Sequence, residues 1–486
     1  MAPKTPAIAP TSRRRRRGLV ISVAIVLAGL AGFAGHRLWQ HAVVNSHLPA
    51  RPELHRFPPA LRTEVDHANA VARGYLRPQT GLADLSGLYH ANGFYEEAMQ
   101  CYQGLRRLEP GAARWAHHHG SILASFGQLE EAQPLLQSAA TQAPEYIPAR
   151  LRLGDVLLKA NRIPEAADTY GTVLEVESDN PYALLGLARC DLSAGDWEKA
   201  RERLQRTIAR HPDFIGALSL MVTVSEHFGD TNRAEALRTT IGRREFSDFP
   251  DPWIDELLDV CYDPYGLSVG AAVANFAGDP GRARQLLERA IALAPQSGSY
   301  RRHLGRLLYD TREYALARRH LEAAVAVSPA DSDAWFLLVQ TLGAIGDMDA
   351  AARAITAGLA HCPDSPSLHL EQARRMKAVD RREEAIAEYR EAYRLRPSEA
   401  TPLIEVASLY FAANRANEGV AALQEALAKE PEHPLALTTL MIYSISIGDQ
   451  SGALAWWERV RRQSRTPPQM VETVRRAFAQ RFGRNP

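Results

Sequence analysis

Apolar positions recur at helical spacing along most of the chain, and the pattern itself repeats every 34 residues. The stretch from Ser299 to Pro329 shows the unit. Gly305 and Leu308 lie on one apolar face, Ala317, Leu321 and Ala324 lie on a second, and Pro329 closes it. Apolar residues three and four apart mark one face of an amphipathic helix, so two such faces separated by a break predict a helical hairpin. The same interval carries Pro329 forward to Pro363, Pro397, Pro431 and Arg465, and back to Pro295. Upstream of an interruption it links Phe246, Pro212, Ser178, Pro144 and Pro110, which makes eleven units.

Twelve residues before each close stands a small residue: Ala98, Ala132, Ala166, Ala200, Ala234, Ala283, Ala317, Ala351, Ala385, Gly419 and Ala453. Two helices cross closely only over a side chain of this size. Five residues earlier come Gly93, Gly127, Asn161, Gly195, Gly229, Gly278, Arg312, Gly346, Asp380, Asn414 and Gly448. Glycine and asparagine tolerate the left-handed backbone that ends a helix and turns the chain back. Each unit therefore reads as helix, tight turn, helix, break. The period, the paired small residues and the closing proline resemble the tetratricopeptide repeat family. The resemblance covers roughly 79–465 and implies an all-α superhelical solenoid of about eleven repeats. The unit ending at Phe246 departs from it, lacking both the small residue in its first helix and the proline. The unit ending at Arg465 carries the pattern weakly.

A chain of 486 residues is long enough for several domains, but an internal period overrides a count taken from length. A single unit cannot bury its apolar face alone, so stacked neighbours supply the core. The formal net charge of +1 gives no global argument for a nucleic-acid partner. Cys101, Cys190, Cys261 and Cys362 are scattered over units that a solenoid keeps apart, and no CxxC occurs. Neither a disulfide framework, nor a zinc knuckle, nor attached haem is expected.

The N-terminus reads differently. Residues 1–17 form a basic tail ending in the run Arg13 to Arg17, and Gly18 to Gly35 carries no charge. With Leu38 and Trp39 this run approaches the ~20 apolar residues that span a bilayer, so 18–39 is expected to be an uncleaved transmembrane signal anchor. A soluble buried helix and a cleaved signal peptide, with Gly32 and Ala34 before the cut, are the alternatives. Lys4 and the five arginines precede the span, against Arg37, Arg51 and Arg56 after it. The basic side stays cytoplasmic, which puts the repeats on the extracytoplasmic side, periplasmic in a Gram-negative source.

The remaining divisions follow from the spacing. Residues 40–59 are a proline-rich linker. A cap helix with Leu61, Val65, Ala68 and Ala72 on one face opens 60–246, which holds repeats 1–5. Residues 247–263 are an insertion, 264–465 hold repeats 6–11, and 466–486 form a capping helix with the stripe Met470, Val471, Val474, Phe478 and Phe482.

In the insertion, no Lys or Arg occurs between Glu245 and Gly281, while Glu245, Asp248, Asp251, Asp255, Glu256, Asp259, Asp263 and Asp279 are interleaved with Phe246, Phe249, Trp253, Tyr262 and Tyr265. The run from Trp253 to Tyr262 is expected to form a helix with Trp253, Leu257 and Val260 or Cys261 on one face. It is either a wedge that changes curvature or a plug or docking element in the groove, with Trp253, Asp255, Glu256 and Asp259 as its contact residues.

The family resemblance implies that the first helix of each pair lines a concave face. Its offsets place Arg302, Arg306, Tyr309, Phe336, Gln340, Arg374 and Lys377 on one inner surface. Arg302 and Arg306 are one turn apart, so both can address one carboxylate. The alternative for these cations is solvation or pairing with acids on a neighbouring repeat. The lysine–asparagine carboxylate clamp of some family members is replaced by Leu151 with Asp155 and by Leu370 with Arg374, which argues against a C-terminal-carboxylate client. His117, His118 and His119 are consecutive on a helix, so they diverge and lack the i, i+4 spacing of a metal pair. His119 falls at a core offset.

No phosphate loop, HExxH, GxSxG or dinucleotide fingerprint is present. No catalytic residue, cofactor, metal or small-molecule substrate is assigned. The reading is a membrane-tethered interaction scaffold for an extended or helical segment of another protein in the assembly or regulation of an envelope complex. The competing readings are an enzyme or enzyme subunit using the acids between Asp251 and Asp263, and a self-associating structural protein.

Overall fold

A computed structural model of the protein describes the backbone of residues 11–242, 248–462 and 467–486; its side chains are described at residue 25 and from 27 onward, Pro468 excepted. The closing positions Phe246 and Arg465 lie outside the described residues. Among the described residues there are 26 α-helices, one short 3₁₀ turn and no strand. The chain divides into two compact units, Met1–Leu293 and Ala294–Pro486.

The first unit holds five hairpins from Pro78–Ala91 with Tyr95–Leu108 to Ile215–His227 with Thr231–Ile241, then a sixth, Pro264–Phe276 with Pro280–Leu293. The second holds five more, from Gly298–Asp310 with Tyr314–Val327 to Pro434–Ser446 with Gln450–Arg461, and the closing helix Pro468–Phe482. All eleven turn positions have positive φ, between 58 and 87°. The four that are not glycine, Asn161, Arg312, Asp380 and Asn414, hold the same left-handed conformation as their glycine counterparts. The small residues of the second helices are all buried, Ala351 being the most exposed of the ten alanines at 8%.

Close approach explains the small residues of the first helices as well. A Cβ on Gly305 would stand 2.6 Å from Leu321 of the paired helix. The buried ring of Tyr170 sits between two first helices, where a Cβ on Gly154 or Gly186 would stand 2.6 or 2.4 Å from it. A second-helix tyrosine thus joins its own hairpin to the next, which is how units too short to fold alone share a core.

Both ends are covered. Leu61, Val65, Ala68 and Ala72 of the Pro59–Arg73 helix are buried, as their spacing predicts. At the other terminus Val474 and Phe478 are fully buried against Met441, Ile445 and Ala453, and burying such side chains stabilises by about 1.5–3 kcal/mol each. Residues 40–59, expected as a linker, are not a free spacer. The first helix, Thr11–His47, continues into them, Val44 is fully buried and Leu54 is 4% exposed. The cause is a notch at Gly104, whose missing Cβ would lie 2.8 Å from the His47 Cβ. Arg37 donates to the Leu76 carbonyl at 2.9 Å, and the His41 ring stacks on Tyr75 at 4.1 Å.

Ahead of that docked end, Leu27, Leu30 and Phe33 are exposed. Among the described residues no helix is long and apolar enough to cross a membrane. The run Gly18 to Gly35, expected as the core of the anchor, lies in part outside the described side chains.

A candidate recognition face and the strap that lies on it

Within the first unit, residues 248–262 run as a strap across the first helices of repeats 1 to 4. The expected single helix from Trp253 to Tyr262 is corrected: Pro252–Asp255 is one α-turn and Glu256–Val260 is 3₁₀. Three residues per turn aligns side chains at i and i+3. Leu257 and Val260 accordingly face Gly87, each 3.8 Å from where its Cβ would be, while Leu258 turns the other way into the notch at Gly270. A regular helix would not serve both surfaces.

The strap is held first through its main chain. The Asn92 side chain accepts from the Tyr262 N–H at 2.7 Å and donates to the Val260 carbonyl at 3.0 Å. Arg289 donates to the carbonyls of Leu258 and Cys261 at 2.7 and 2.8 Å. The Trp253 N–H donates to the Tyr146 hydroxyl at 2.8 Å. A segment lacking regular structure leaves backbone groups unpaired, and here side chains of the repeats satisfy them.

Its buried centre is Asp251, 3% exposed. One carboxylate oxygen accepts from the Tyr146 hydroxyl at 2.6 Å and the other from His117 Nε2 at 2.7 Å. Burial pushes the Asp251 carboxyl up, but the hydrogen bonds from His117 and Tyr146 outweigh it and leave it below the ordinary carboxylate range. Two residues on, the Trp253 indole stacks on the Tyr146 ring at 3.6 Å with 13° between planes, and meets His117 edge-on. On the other side Phe249 is buried under the Arg152 guanidinium, 4.4 Å from its centroid, with its edge to Tyr182.

Ion pairs line the margins. Asp248 pairs with Arg152 at 2.8 Å, Glu256 with Arg114 at 3.0 Å and Asp259 with Arg282 at 2.6 Å. Asp255, half-buried and beside Asp251, has its carboxyl raised by burial and by that neighbouring charge. A cavity of about 360 Å³ touches Asp255, Glu256 and Asp259 together with Pro250, Leu258 and Arg282, and no histidine lines it. The acid that does reach a histidine is Asp251, in a node closed to solvent.

Of the insertion residues singled out from sequence, Trp253, Glu256 and Asp259 therefore touch the repeats directly, and Asp255 sits beside the node. The residues that receive them, Asn92, Arg114, His117, Tyr146, Arg152 and Arg289, were not legible as a set. His117 was read only as one of three diverging histidines. All three are buried: His118 stacks on Tyr102 at 5.3 Å, and His119 is 5% exposed. Burial holds His118 well below the usual histidine range, and burial with the nearby Arg106 charge holds His119 at about 4.

In the second unit the expected groove residues lie along first helices, but their cations are paired within the chain. Arg302 and Arg306 do not converge on one carboxylate. Arg302 goes to Asp331, the cap of the next first helix, at 2.8 Å, and Arg306 to Asp310 at 3.0 Å, because each finds a nearer acid of its own. Arg374 pairs with Glu371 and Lys377 with Glu405 of the next repeat, both at 2.6 Å. Tyr309, Phe336 and Gln340 are partly exposed, Tyr309 in ring contact with Tyr314.

Models of the tetratricopeptide repeat match residues 123–177 and 163–222, and again 276–318 and 304–366. The chain is a tetratricopeptide repeat protein. Proteins of this family mediate protein–protein interaction, and the fold is typically a non-enzymatic scaffold. Among curated proteins this tetratricopeptide repeat protein is similar to cellulose synthase 1 operon protein C of Komagataeibacter xylinus, 29% identical over 130 residues, or 26% of this chain and 10% of the relative. It is also similar to BBSome complex member BBS4 of Bos taurus, 22% identical over 299 residues, 62% of this chain and 54% of the relative. The chain thus spans a tenth of one relative and about half of the other. Among solved structures, yeast Tom70 matches with a TM-score of 0.37 at 13% identity, over 83% of this chain and 96% of that one. YrrB, titled a TPR protein with an unusual peptide-binding site, matches with a TM-score of 0.31 at 15% identity, over 36% and 91%.

Proposed function

We propose that this tetratricopeptide repeat protein is a membrane-tethered interaction scaffold that holds an extended or helical segment of another protein along its first-helix faces, in the assembly or regulation of an envelope complex. The observation that supports the reading is the seat of the strap. Successive repeats contribute Asn92, Arg114, His117, Tyr146 and Arg152 to one segment, satisfying its backbone as well as its side chains. A surface that does this for a segment of its own chain has the chemistry to do it for another. In the second unit the surface around Tyr309, Phe336, Gln340 and the rims at Arg302, Arg306, Arg374 and Lys377 is the corresponding partner face.

The tether in this proposal is the uncharged run Gly18 to Gly35 behind Arg13 to Arg17, with the repeats extracytoplasmic. Its support is charge asymmetry and length alone. Affinity capture of the intact protein from membranes, compared with an Arg306→Glu and Lys377→Glu variant, tests the partner face. A partner retained by the first and lost by the second is expected; identical captures from a folded variant would remove that face from the proposal. The acids of the insertion offer an enzymatic reading less support, since Asp251 and His117 are committed to each other and closed to solvent.

A further inference from the structure

We infer that the strap is an in-cis occupant of a peptide site, and that the site's partner is an extended acidic–aromatic segment of another protein, with a carboxylate two residues ahead of a large aromatic. This rests on the scaffold reading above and names the chemistry of the partner. Three observations carry it.

The recognition is specific and polar. A carboxylate is read at both oxygens by Tyr146 and His117, and an indole lies flat on the ring of the same Tyr146 whose hydroxyl accepts the Trp253 backbone N–H. Any segment presenting a carboxylate and an aromatic at that spacing meets the same donors and the same ring. The rim carries Arg114, Arg152 and Arg282, each on a strap carboxylate, so the surface is complementary to acid.

The strap is seated differently from the repeats. Between Pro252 and Val260 no residue is fully buried, whereas every hairpin second helix carries a buried small residue at its crossing. The acids at its margins, Asp248, Glu256 and Asp259, are each more than half exposed, so solvent screens their ion pairs with Arg152, Arg114 and Arg282. Its buried residues are Phe249, Asp251 and Cys261, and the stretch between them is held by main-chain hydrogen bonds to Tyr146, Asn92 and Arg289.

The face beneath is not sealed. A cavity of about 420 Å³ opens beside Phe249, Pro250 and Pro252, and its walls include Tyr146, Tyr182 and Leu151 of the face itself. Of the residues that read the strap, Tyr146 borders this opening, while His117 stays closed to solvent until Asp251 lifts away.

The test uses the full chain in detergent and a labelled peptide of residues 248–262. The peptide is expected to bind an Asp251→Asn, Trp253→Ala variant at least tenfold more tightly than the unaltered protein. Adding Tyr146→Phe and Arg152→Glu to that variant is expected to lower the affinity at least tenfold. A folded strap variant that binds the peptide no better than the unaltered protein overturns the inference. So does a concentration-dependent dimer of the unaltered protein that the strap variant abolishes, since the occupant would then be the strap of a second copy. Hydrogen exchange on the unaltered protein decides the matter if the variant fails to fold. Strap amides such as those of Trp253 and Tyr262 are expected to exchange at least a hundredfold faster than the helix bearing Tyr170, and equal protection identifies a permanent wedge. Loss of this inference leaves partner capture by the second unit's face standing, so the two readings fail separately.

Discussion

Tyr170 and the two glycines around it show how much a single residue decides. Because a Cβ at Gly186 would stand 2.4 Å from a rigid buried ring, Gly186→Ala forces the ring or a helix to move. The expected cost is about 1–3 kcal/mol, read as a lower Tm with unchanged helical circular dichroism. His118 and His119 set a different sensitivity. Their folded pKa values lie below the ordinary one near 6.5, with His119 at about 4. Below pH 6.5 the unfolded chain takes up protons that the folded chain refuses, so stability falls as pH drops from about 6.5 towards 4. For His119 the loss between pH 7.5 and 5 is about 2 kcal/mol. Denaturant titrations at the two pH values check it, and His119→Gln is expected to flatten the difference. Asp251 acts in the opposite range: its depressed carboxyl contributes above the ordinary carboxylate pKa and its contribution is lost only as pH falls further.

Among the elements, the hairpin turn was the most legible, since one φ > 0 position per unit has a narrow residue preference. It also accepted one residue outside that preference, Arg312, which shows that helix packing on both sides imposes the conformation. Replacing Arg312 with glycine is therefore expected to stabilise the second unit by about 1 kcal/mol by removing the left-handed penalty, measurable as a raised denaturation midpoint. The strap and the residues around 40–59 were the least legible elements. Short apolar runs interleaved with prolines carry no period, and what orders them is a notch on another element, Gly270 for Leu258 and Gly104 for His47. A truncated chain beginning at residue 36 is expected to be more stable than one beginning at residue 49. The difference should be about 2–5 kcal/mol, since the second loses fully buried Val44 and the side chain filling that notch.

At the scale of the whole molecule, each unit is a stack closed by a non-repeat helix, the first opened by Pro59–Arg73 and the second ended by Pro468–Phe482. If the proposed tether and its orientation hold, protease added outside intact spheroplasts digests the repeats, and residues 1–17 remain protected; the reverse pattern would place the repeats in the cytoplasm. The number of hairpins, the place of every turn and the buried crossings were determined by the sequence alone, because those are contacts between residues that a constant interval brings together. The strap's seat was decided only by tertiary structure. Asp251 meets His117 and Tyr146 more than a hundred residues away, and no local periodicity encodes a contact between an irregular segment and four separate helices.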